Sequence, residues 1–499
     1  MEKIVNIVNF VRGVEPRLDM DLLTPVAEEI RLNKQYGYEN PFQLQYDAMM
    51  DNRFVDLFLK ENDERMELGI WIEMARCLIE SIGLEWEGRP GFDWDWFVNP
   101  GFLLAYTKSQ KEQIIDRIME KFRACFGYYP KSAGSWMLDT DSVSYMCEKY
   151  GVQAFCICRE QWGTDAYTLW GGYYNGPYFP SRNHILHPAQ TEDAQIHAPV
   201  FRMLGPDPIY CYYEKQVGER NKPGHTLYTL EPAWHCGKNP EWVQWYFRNF
   251  LDNEDMGYQY TQVGQENSFG WPLIRQGLPM QYAYLDALRT EGKIRIEKLC
   301  DTAGRFRQSY AMTPSTVYSA MDDWAGNGNQ AVWYSCKNYR MGLMRNLGEV
   351  FIGDLQKYDE KYRDVYLDTP CKKNDAVQDA LPVIDGIRFS DEKTLSGLYF
   401  GQGRIEKTWR DGEVFLAQVT ADGNSLTLAL TDQQIVITAD SPFKARYLCK
   451  ENCPQLVGST GNALQYLHNG HAYALVVESG SLVGTDILSD GNTIKLSLQ

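Results

Sequence analysis

A polar run that follows a short apolar stretch in the middle of the chain has the residue types that acid–base chemistry needs. Residues 258–263 have the composition of a β-strand, and Gly264, Gln265, Glu266 and Asn267 follow directly. A carboxyl group can take or give a proton, and the active sites of α/β barrels lie at the carboxyl ends of their strands. We therefore predict Glu266 as the first catalytic candidate; a capping carboxylate in a polar loop is the alternative.

Similar clusters follow several other predicted strands. Glu160 comes after the fifth strand, and Asp139 and Asp141 come after the fourth, so these three are the further catalytic candidates. Helix capping is an equal alternative for the two aspartates. The predicted substrate-binding residues lie in the same clusters: Arg12, Glu15, Glu73, Trp96, Trp136, Trp162, Asp165, Trp170, Asn267 and Trp271.

Paired carboxyl groups and indole rings together suggest chemistry on sugars. Cleavage of a glycosidic bond needs one carboxyl group that stays protonated and a second that stays charged. The chain is 13% aromatic, with 14 tryptophans and 32 tyrosines. Aromatic rings stack on flat apolar faces, which sugar rings have, although burial in the core is the commoner role of any single tryptophan.

Metal-assisted hydrolysis is the main rival chemistry. Most of the histidines lie close together in the sequence: His184, His187, His197, His225 and His235. The close pair, His184 and His187, has a spacing that aligns two ligands on a helix, but Asn183 and Pro188 favour a loop there. We therefore predict no metal cofactor, and one divalent metal only under the rival hypothesis. The sequence contains neither a Gly-x-Ser-x-Gly elbow nor a phosphate-binding Gly-x-x-x-x-Gly-Lys-Ser/Thr motif.

The elements that must position these residues alternate between strand-like and helix-like segments. The predicted strands are residues 4–10, 41–46, 68–72, 132–137, 152–158, 208–212, 258–263, 294–299 and 350–355. Strand–helix alternation predicts a parallel sheet, and seven or eight units would close it into a (β/α)7-8 barrel. We predict a barrel domain over residues 1–384, with a helical extension over about 301–384. Asp-Gly and Asn-Gly pairs predict an antiparallel β-sandwich over residues 385–499.

Composition limits the partners. The chain has 499 residues and a formal net charge of -17, which disfavours nucleic acid and anionic membranes as partners. No run of eighteen apolar residues occurs, so no membrane span is predicted. The scattered cysteines and the polar N-terminus favour a reduced, cytoplasmic protein, with export kept open. The sequence does not indicate an oligomeric state.

Four segments resemble the glycoside hydrolase/deacetylase superfamily of (β/α)7-type barrels. These are residues 8–17, 134–141, 159–165 and 277–295, and the chain is most similar to a gut-bacterial group described by domains of unknown function. The resemblance covers roughly residues 1–384 and implies the barrel, but no assigned reaction. The deacetylase pattern has paired aspartates after the first strand and a His-x-x-x-His pair, whereas this chain has Arg12 and Glu15 there and a differently spaced histidine pair.

These observations predict a carbohydrate-active hydrolase, and a metal-free glycosidase is favoured by elimination. A metal-dependent polysaccharide or sugar deacetylase on the same barrel is the first alternative. A noncatalytic sugar-binding protein on a degenerate barrel is the second.

Overall fold

The computed structural model describes residues 3–211, 228–391, 393–451, 453 and 455–499. His225 lies outside the described residues. The described residues that precede residue 300 contain eleven strands: β1 (Ile4–Ile7), β2 (Asn9–Val11), β3 (Asn40–Leu44), β4 (Met66–Trp71), β5 (Ser132–Gly134), β6 (Ala154–Ile157), β7 (Gln161–Thr164), β8 (Tyr167–Trp170), β9 (Val200–Arg202), β10 (Tyr260–Val263) and β11 (Arg295–Ile296).

Helices connect or follow most of these strands. They are α1 (Leu23–Tyr36), α2 (Tyr46–Met50), α3 (Asn52–Glu61), α4 (Arg76–Ser81), α5 (Val98–Gly101), α6 (Lys108–Phe126), α7 (Thr140–Tyr150), α8 (Pro240–Asp252), α9 (Trp271–Ile274), α10 (Gly277–Thr290), α11 (Leu299–Ser309) and α12 (Val365–Asp368). Two 3₁₀ turns span Leu103–Ala105 and Asn267–Phe269. Helix α6 shows why the sequence pattern works: its apolar residues at helical spacing, Ile114, Ile115, Ile118, Met119 and Phe122, are buried.

Most strands of this part form two parallel sheets. The larger one is curved and has the order β2-β3-β4-β5-β6-β9. In the smaller one, β1, which precedes β2 in the chain, pairs with β10 on one side and β11 on the other. The curvature is strong, because the rings of Phe10 and Trp71 stack at 4.1 Å although β3 lies between their strands. Within the described ranges no ladder joins β9 to β10, so the predicted parallel sheet is confirmed and its closure into a barrel is not.

All but one of the remaining described strands build a large antiparallel sheet. The remaining strands are β12 (Thr316–Ala320), β13 (Gln330–Ser335), β14 (Tyr339–Asn346), β15 (Glu349–Lys357), β16 (Ala376–Asp379), β17 (Leu381–Asp385), β18 (Gly397–Asp411), β19 (Val414–Ala421), β20 (Asn424–Leu430), β21 (Ile435–Ala439), β22 (Lys444–Leu448), β23 (Leu456–Thr460), β24 (Ala463–His468), β25 (His471–Ser479), β26 (Ser481–Val483), β27 (Asp486–Leu488) and β28 (Thr493–Leu498). Strand β16 instead joins β8 and β7 in a small sheet beside the parallel one. The Asp422-Gly423 and Asn469-Gly470 turns have positive φ at both residues, as predicted for tight hairpins.

Several predicted elements are wrong. Residues 301–384 are not a helical extension, because after α11 they form antiparallel strands β12–β15 and β17. Residues 208–211 form a turn, and the strand of that region is β9, a few residues earlier. The predicted strand over 294–299 shrinks to β11, with helix α11 beginning at Leu299. The predicted strand over 350–355 exists as β15 but pairs antiparallel.

The division near residue 385 stays a prediction. Strand β15 pairs with β17 and with β18, so the hydrogen-bonded antiparallel sheet runs across that point of the chain. In the portion of the chain that is described, no helix combines the length and apolar character needed to cross a membrane.

Candidate active site

A buried guanidinium at the end of β2 organises the polar groups where the parallel strands end. Arg12 is 2% exposed; its Nε and Nη2 donate to Glu73 Oε2 at 3.2 and 2.9 Å. Its Nη1 lies 3.2 Å from Glu266 Oε2 and 3.8 Å from Glu15 Oε2, and it donates to Ser268 Oγ at 3.2 Å. The structure thus brings together four of the residues predicted from the sequence, from three separate strand ends.

Strand alternation explains why these side chains meet. Residues two apart on a strand project to the same face, so Phe10 and Arg12 share one face, as do Trp71 and Glu73. On β10 the corresponding position before Glu266 is Gly264, with φ +131, and a Cβ there would lie 1.8 Å from the Val8 carbonyl oxygen. A glycine is therefore required for the close approach that bridges Phe10 to Glu266.

Two buried side chains hold the backbone around Arg12. Asn267 Oδ1 accepts from the Arg12 backbone N–H at 2.9 Å, and its Nδ2 donates to the carbonyls of Arg12 and Leu22, both at 2.9 Å. Asn267, predicted to bind substrate, therefore serves as a backbone clamp in this structure. Asp47 Oδ2 accepts from the N–H groups of Gly13 and Val14, at 3.1 and 2.8 Å.

Aromatic rings pack against the Arg12 cluster. Trp136 packs edge-on against Phe10 and Trp71, with ring centroids 5.0 and 5.2 Å apart. The guanidinium carbon of Arg12 lies 4.1 Å from the ring of Trp94, and the guanidinium carbon of Arg17 lies 4.9 Å from the same ring. Such contacts favour the charged arginine and keep water from it.

The carboxyl groups of the site differ in their electrostatics. Burial raises the pKa of Glu266 to about 7; the charges of Arg12 and Arg17 oppose this, and those of Glu73 and Glu231 add to it. Burial also raises the pKa of Glu73, against the stabilising charge of Arg12. Burial alone would raise the pKa of Glu15, but the hydrogen bonds from Arg17 and the charges of Arg17 and Arg12 together outweigh burial and lower the pKa. One cluster therefore contains carboxyl groups that ionise at different pH.

Glu231 belongs to this neighbourhood and was missed from the sequence. Its Oε2 accepts from Thr229 Oγ1 at 2.9 Å, and burial raises its pKa while the charge of Arg159 lowers it. No predicted strand precedes it, which is the signal that selected the other candidates. Its neighbours Pro232 and Trp234 in the sequence were the available hint.

Glu160, the second catalytic candidate, does not share Arg12 with Glu266. Its Oε1 lies 2.5 Å from Arg340 Nη2 and accepts from the Gly171 N–H at 2.9 Å. Arg340 also binds both oxygens of Asp354, at 2.9 and 2.8 Å. The carboxylate of Glu160 thus joins the loop after β6 to strands β14 and β15.

The two aspartate candidates lie at the start of α7, where an acidic residue that caps a helix is expected. Asp139 is buried; it accepts from the backbone N–H of Ser142 at 3.0 Å and lies 3.0 Å from Lys111 Nζ. Asp141 is in the first turn of the same helix, 3.7 Å from Lys108 Nζ. Both positions suit an acidic side chain at a helix N-terminus.

The remaining predicted binding residues divide between the site and the core. Asp165 lies 3.8 Å from Arg17, and Trp96 stacks on the same arginine at 5.3 Å, so both border the Arg12 cluster. Trp170 is buried, with its indole N–H donating to Asp385 at 3.0 Å, and Trp162 packs edge-on against it. Trp271 is half-buried at the start of α9.

The histidine pair does not have the geometry of a metal site. His184 and His187 are buried with ring centroids 4.8 Å apart, and Nδ1 of each accepts a backbone N–H, from Leu186 and Asp359 respectively. Burial lowers the pKa of both rings. Over the described ranges no group of three or more histidine, cysteine, aspartate and glutamate side chains is arranged to hold a metal ion. The ligands that a metal-dependent deacetylase implies are therefore not assembled among these residues.

Comparison with known proteins adds a family match and a fold likeness. Residues 95–270 match a family model described as a domain of unknown function with a solved structure, DUF3863. No curated protein matches the sequence. A candidate glycoside hydrolase/deacetylase from Parabacteroides distasonis has a similar structure, with a TM-score of 0.56 and 15% identity over 79% of this chain and 96% of that one.

Two further solved structures align more weakly. A candidate polysaccharide deacetylase from Mycobacterium smegmatis has a TM-score of 0.36 and 11% identity, over 62% of this chain and 91% of that one. A 4-alpha-glucanotransferase from Thermococcus litoralis has a TM-score of 0.30 and 9% identity, over 100% of this chain and 98% of that one. The Parabacteroides protein shows a shared fold, which agrees with the resemblance drawn from the sequence.

Proposed function

We propose that this protein is a carbohydrate-active hydrolase and that it cleaves glycosidic bonds with Glu266 as the general acid. One observation carries the proposal: two buried carboxyl groups, Glu266 and Glu73, both contact Arg12, but Glu73 receives more hydrogen bonds from it. Glu73 accepts two hydrogen bonds from Arg12 and one from the Trp71 indole N–H, at 2.6 Å. Glu266 lies near only one nitrogen of Arg12, Nη1, at 3.2 Å.

Unequal bonding assigns different roles to the two groups. Burial raises the pKa of Glu73, but the charge of Arg12 and the hydrogen bonds from Arg12 and Trp71 oppose this and favour the carboxylate, the form suited to a base or nucleophile. Burial raises the pKa of Glu266 to about 7, so it keeps its proton near neutral pH and can give it to a leaving oxygen. Trp96 is only half-buried beside Arg17, so its ring offers apolar surface at the border of the cluster on which a sugar face can stack. The name of the Parabacteroides neighbour, a candidate glycoside hydrolase/deacetylase, is consistent with this chemistry.

The test begins with release of nitrophenol from a panel of 4-nitrophenyl glycosides and of reducing sugar from polysaccharides. On a substrate that turns over, Glu266→Gln should lower kcat by about 10²- to 10⁴-fold, the usual contribution of a general acid. The loss should shrink with a 2,4-dinitrophenyl leaving group, because that group departs without protonation. Glu73→Gln should lose activity equally with both leaving groups.

Glu297→Gln is the matched control. Glu297 is also buried between arginines, Arg295 and Arg305, but it follows β11, which pairs with the N-terminal end of β1. Full activity of Glu266→Gln would contradict the assignment. Release of acetate from acetylated sugars with no glycoside cleavage would favour a deacetylase, and binding of the same glycans without turnover would favour a noncatalytic sugar-binding protein.

A further inference from the structure

The hairpin formed by β7 and β8 extends from the parallel sheet toward the Arg12 cluster. Its turn contains Asp165, with φ 48, whose carboxylate lies 3.8 Å from Arg17 Nη1. Tyr167, just after the turn, is buried; burial raises its pKa, and the charges of Asp165 and Glu73 raise it further. The hairpin therefore brings an acidic and a phenolic side chain within electrostatic reach of the cluster.

Both ends of this hairpin are attached to one arginine of the antiparallel sheet. Before β7, Glu160 Oε1 lies 2.5 Å from Arg340 Nη2. After β8, the Gly172 carbonyl accepts from Arg340 Nη1 at 2.9 Å, and the Gly171 N–H donates to Glu160 Oε1 at 2.9 Å. A planar guanidinium with several fixed donors is suited to hold two chain segments at once.

Other contacts fix the position of this arginine. Arg340 is fully buried and binds both carboxylate oxygens of Asp354 through Nε and Nη2. Its guanidinium carbon lies 5.2 Å from the ring of Trp333. At Gly171, φ is +86 and a Cβ would lie 2.0 Å from Gln356 Oε1, so only glycine permits the close approach of hairpin and sheet.

We propose that Arg340 is a positioning residue for the active site. It acts as a clamp that binds Glu160 and Gly172 at the two ends of the β7–β8 hairpin, and it thereby fixes the positions of Asp165 and Tyr167 beside the Arg12 cluster. The antiparallel sheet is then part of the substrate-binding apparatus. This inference rests on the proposed function for its effect on turnover, and on geometry alone for its effect on the hairpin.

Two readouts on the full chain test the clamp. Arg340→Lys keeps the charge but loses the fork of donors, and Glu160→Gln keeps the shape but loses the charge. In both variants, hydrogen–deuterium exchange of residues 161–170 should become about tenfold faster, because the hairpin opens more easily. Glu297→Gln should leave exchange in that segment unchanged.

Turnover provides the second readout, on the substrate found with the glycoside panel. Both variants should raise KM about tenfold while kcat stays within about threefold, the pattern of lost substrate binding. Unchanged exchange in both variants would overturn the clamp. Faster exchange with an unchanged KM would overturn its role in substrate binding. If the wild-type protein cleaves no glycoside, the proposed function fails, and the exchange comparison still decides the clamp.

Discussion

Arg12 and Arg340 are both buried against a tryptophan ring and both bind carboxylates, Arg12 where the parallel strands end and Arg340 in the antiparallel sheet. They differ in how the carboxylates are satisfied. Arg340 binds both oxygens of Asp354. Around Arg12, by contrast, Glu73 Oε1 and Glu266 Oε2 accept no hydrogen bond from any residue that the structure describes.

This difference distinguishes the Arg12 cluster from the Arg340 cluster, although Glu29, Glu67 and Glu297 also have a buried carboxyl oxygen without a donor among the described residues. Buried polar atoms are normally hydrogen-bonded, so a cluster that leaves carboxylate oxygens without donors has a reason to do so. Those oxygens at the Arg12 cluster are buried and can take up a proton. Burial and ion pairing alone do not distinguish the two glutamates, since Glu266 and Glu160 have both.

The largest expected effect is on turnover. Glu266→Gln should lower kcat by about 10²- to 10⁴-fold without unfolding the protein, because the amide has no proton to donate. Glu160→Gln should act on KM instead. Steady-state kinetics of the two variants side by side measure the contrast, and equal kcat losses in both would remove the distinction between the clusters.

The next effect is on stability. Arg340→Met should lower the free energy of unfolding by about 3–5 kcal/mol, because Glu160 and Asp354 would be left buried without a cation. Arg12→Met should cost less near neutral pH, because Glu266 can remain protonated. Urea denaturation measures both variants; a larger loss for Arg12→Met would reverse the comparison.

The pH dependence of stability should also report on Glu266. Its pKa is raised from the ordinary 4.5 to about 7, so the folded protein holds a proton that the unfolded chain has released, and stability falls as pH rises across that window. The contribution lost between pH 5 and pH 8 is at most about 3 kcal/mol. Between these two pH values the free energy of unfolding should therefore decrease more in the wild type than in Glu266→Gln. Parallel curves would contradict the raised pKa.

The smallest predicted effect concerns Ser268. Its hydroxyl accepts from Arg12 Nη1 at 3.2 Å, the same group that lies 3.2 Å from Glu266. In Ser268→Ala that N–H should turn to Glu266 and stabilise its charged form, which lowers its pKa. The basic limb of the pH–rate profile should then move to lower pH by less than about one unit. A shift to higher pH would show that Ser268 does not compete with Glu266.

The sequence predicted the Arg12 cluster better than the Arg340 cluster for a physical reason. Arg12, Glu73 and Glu266 each lie within three residues of the end of a parallel strand, so local pattern and strand alternation bring them together. Glu160 follows a strand as well, but Arg340 lies far along the chain in antiparallel strand β14, where the sequence predicts a helix. No local signal connects such a pair.

The same limit explains the fold errors. In β19 alternate residues are buried, and the hairpins of that region were predicted. Strands β13 and β14 are buried almost throughout, so they lack the alternation that identifies a strand with one exposed face. The sequence pattern consequently predicts helix where β12, β13 and β14 lie, and it predicts β15 as a strand.

Titration of Glu266 tests the central claim most directly, because it needs no substrate. Protein labelled with carbon-13 at glutamate carboxyl groups, compared with Glu266→Gln by NMR, assigns the signal that the variant lacks. We predict that this signal titrates near pH 7. A midpoint near the ordinary value of 4.5 would contradict the account, because Glu266 would then be charged at neutral pH and have no proton to donate.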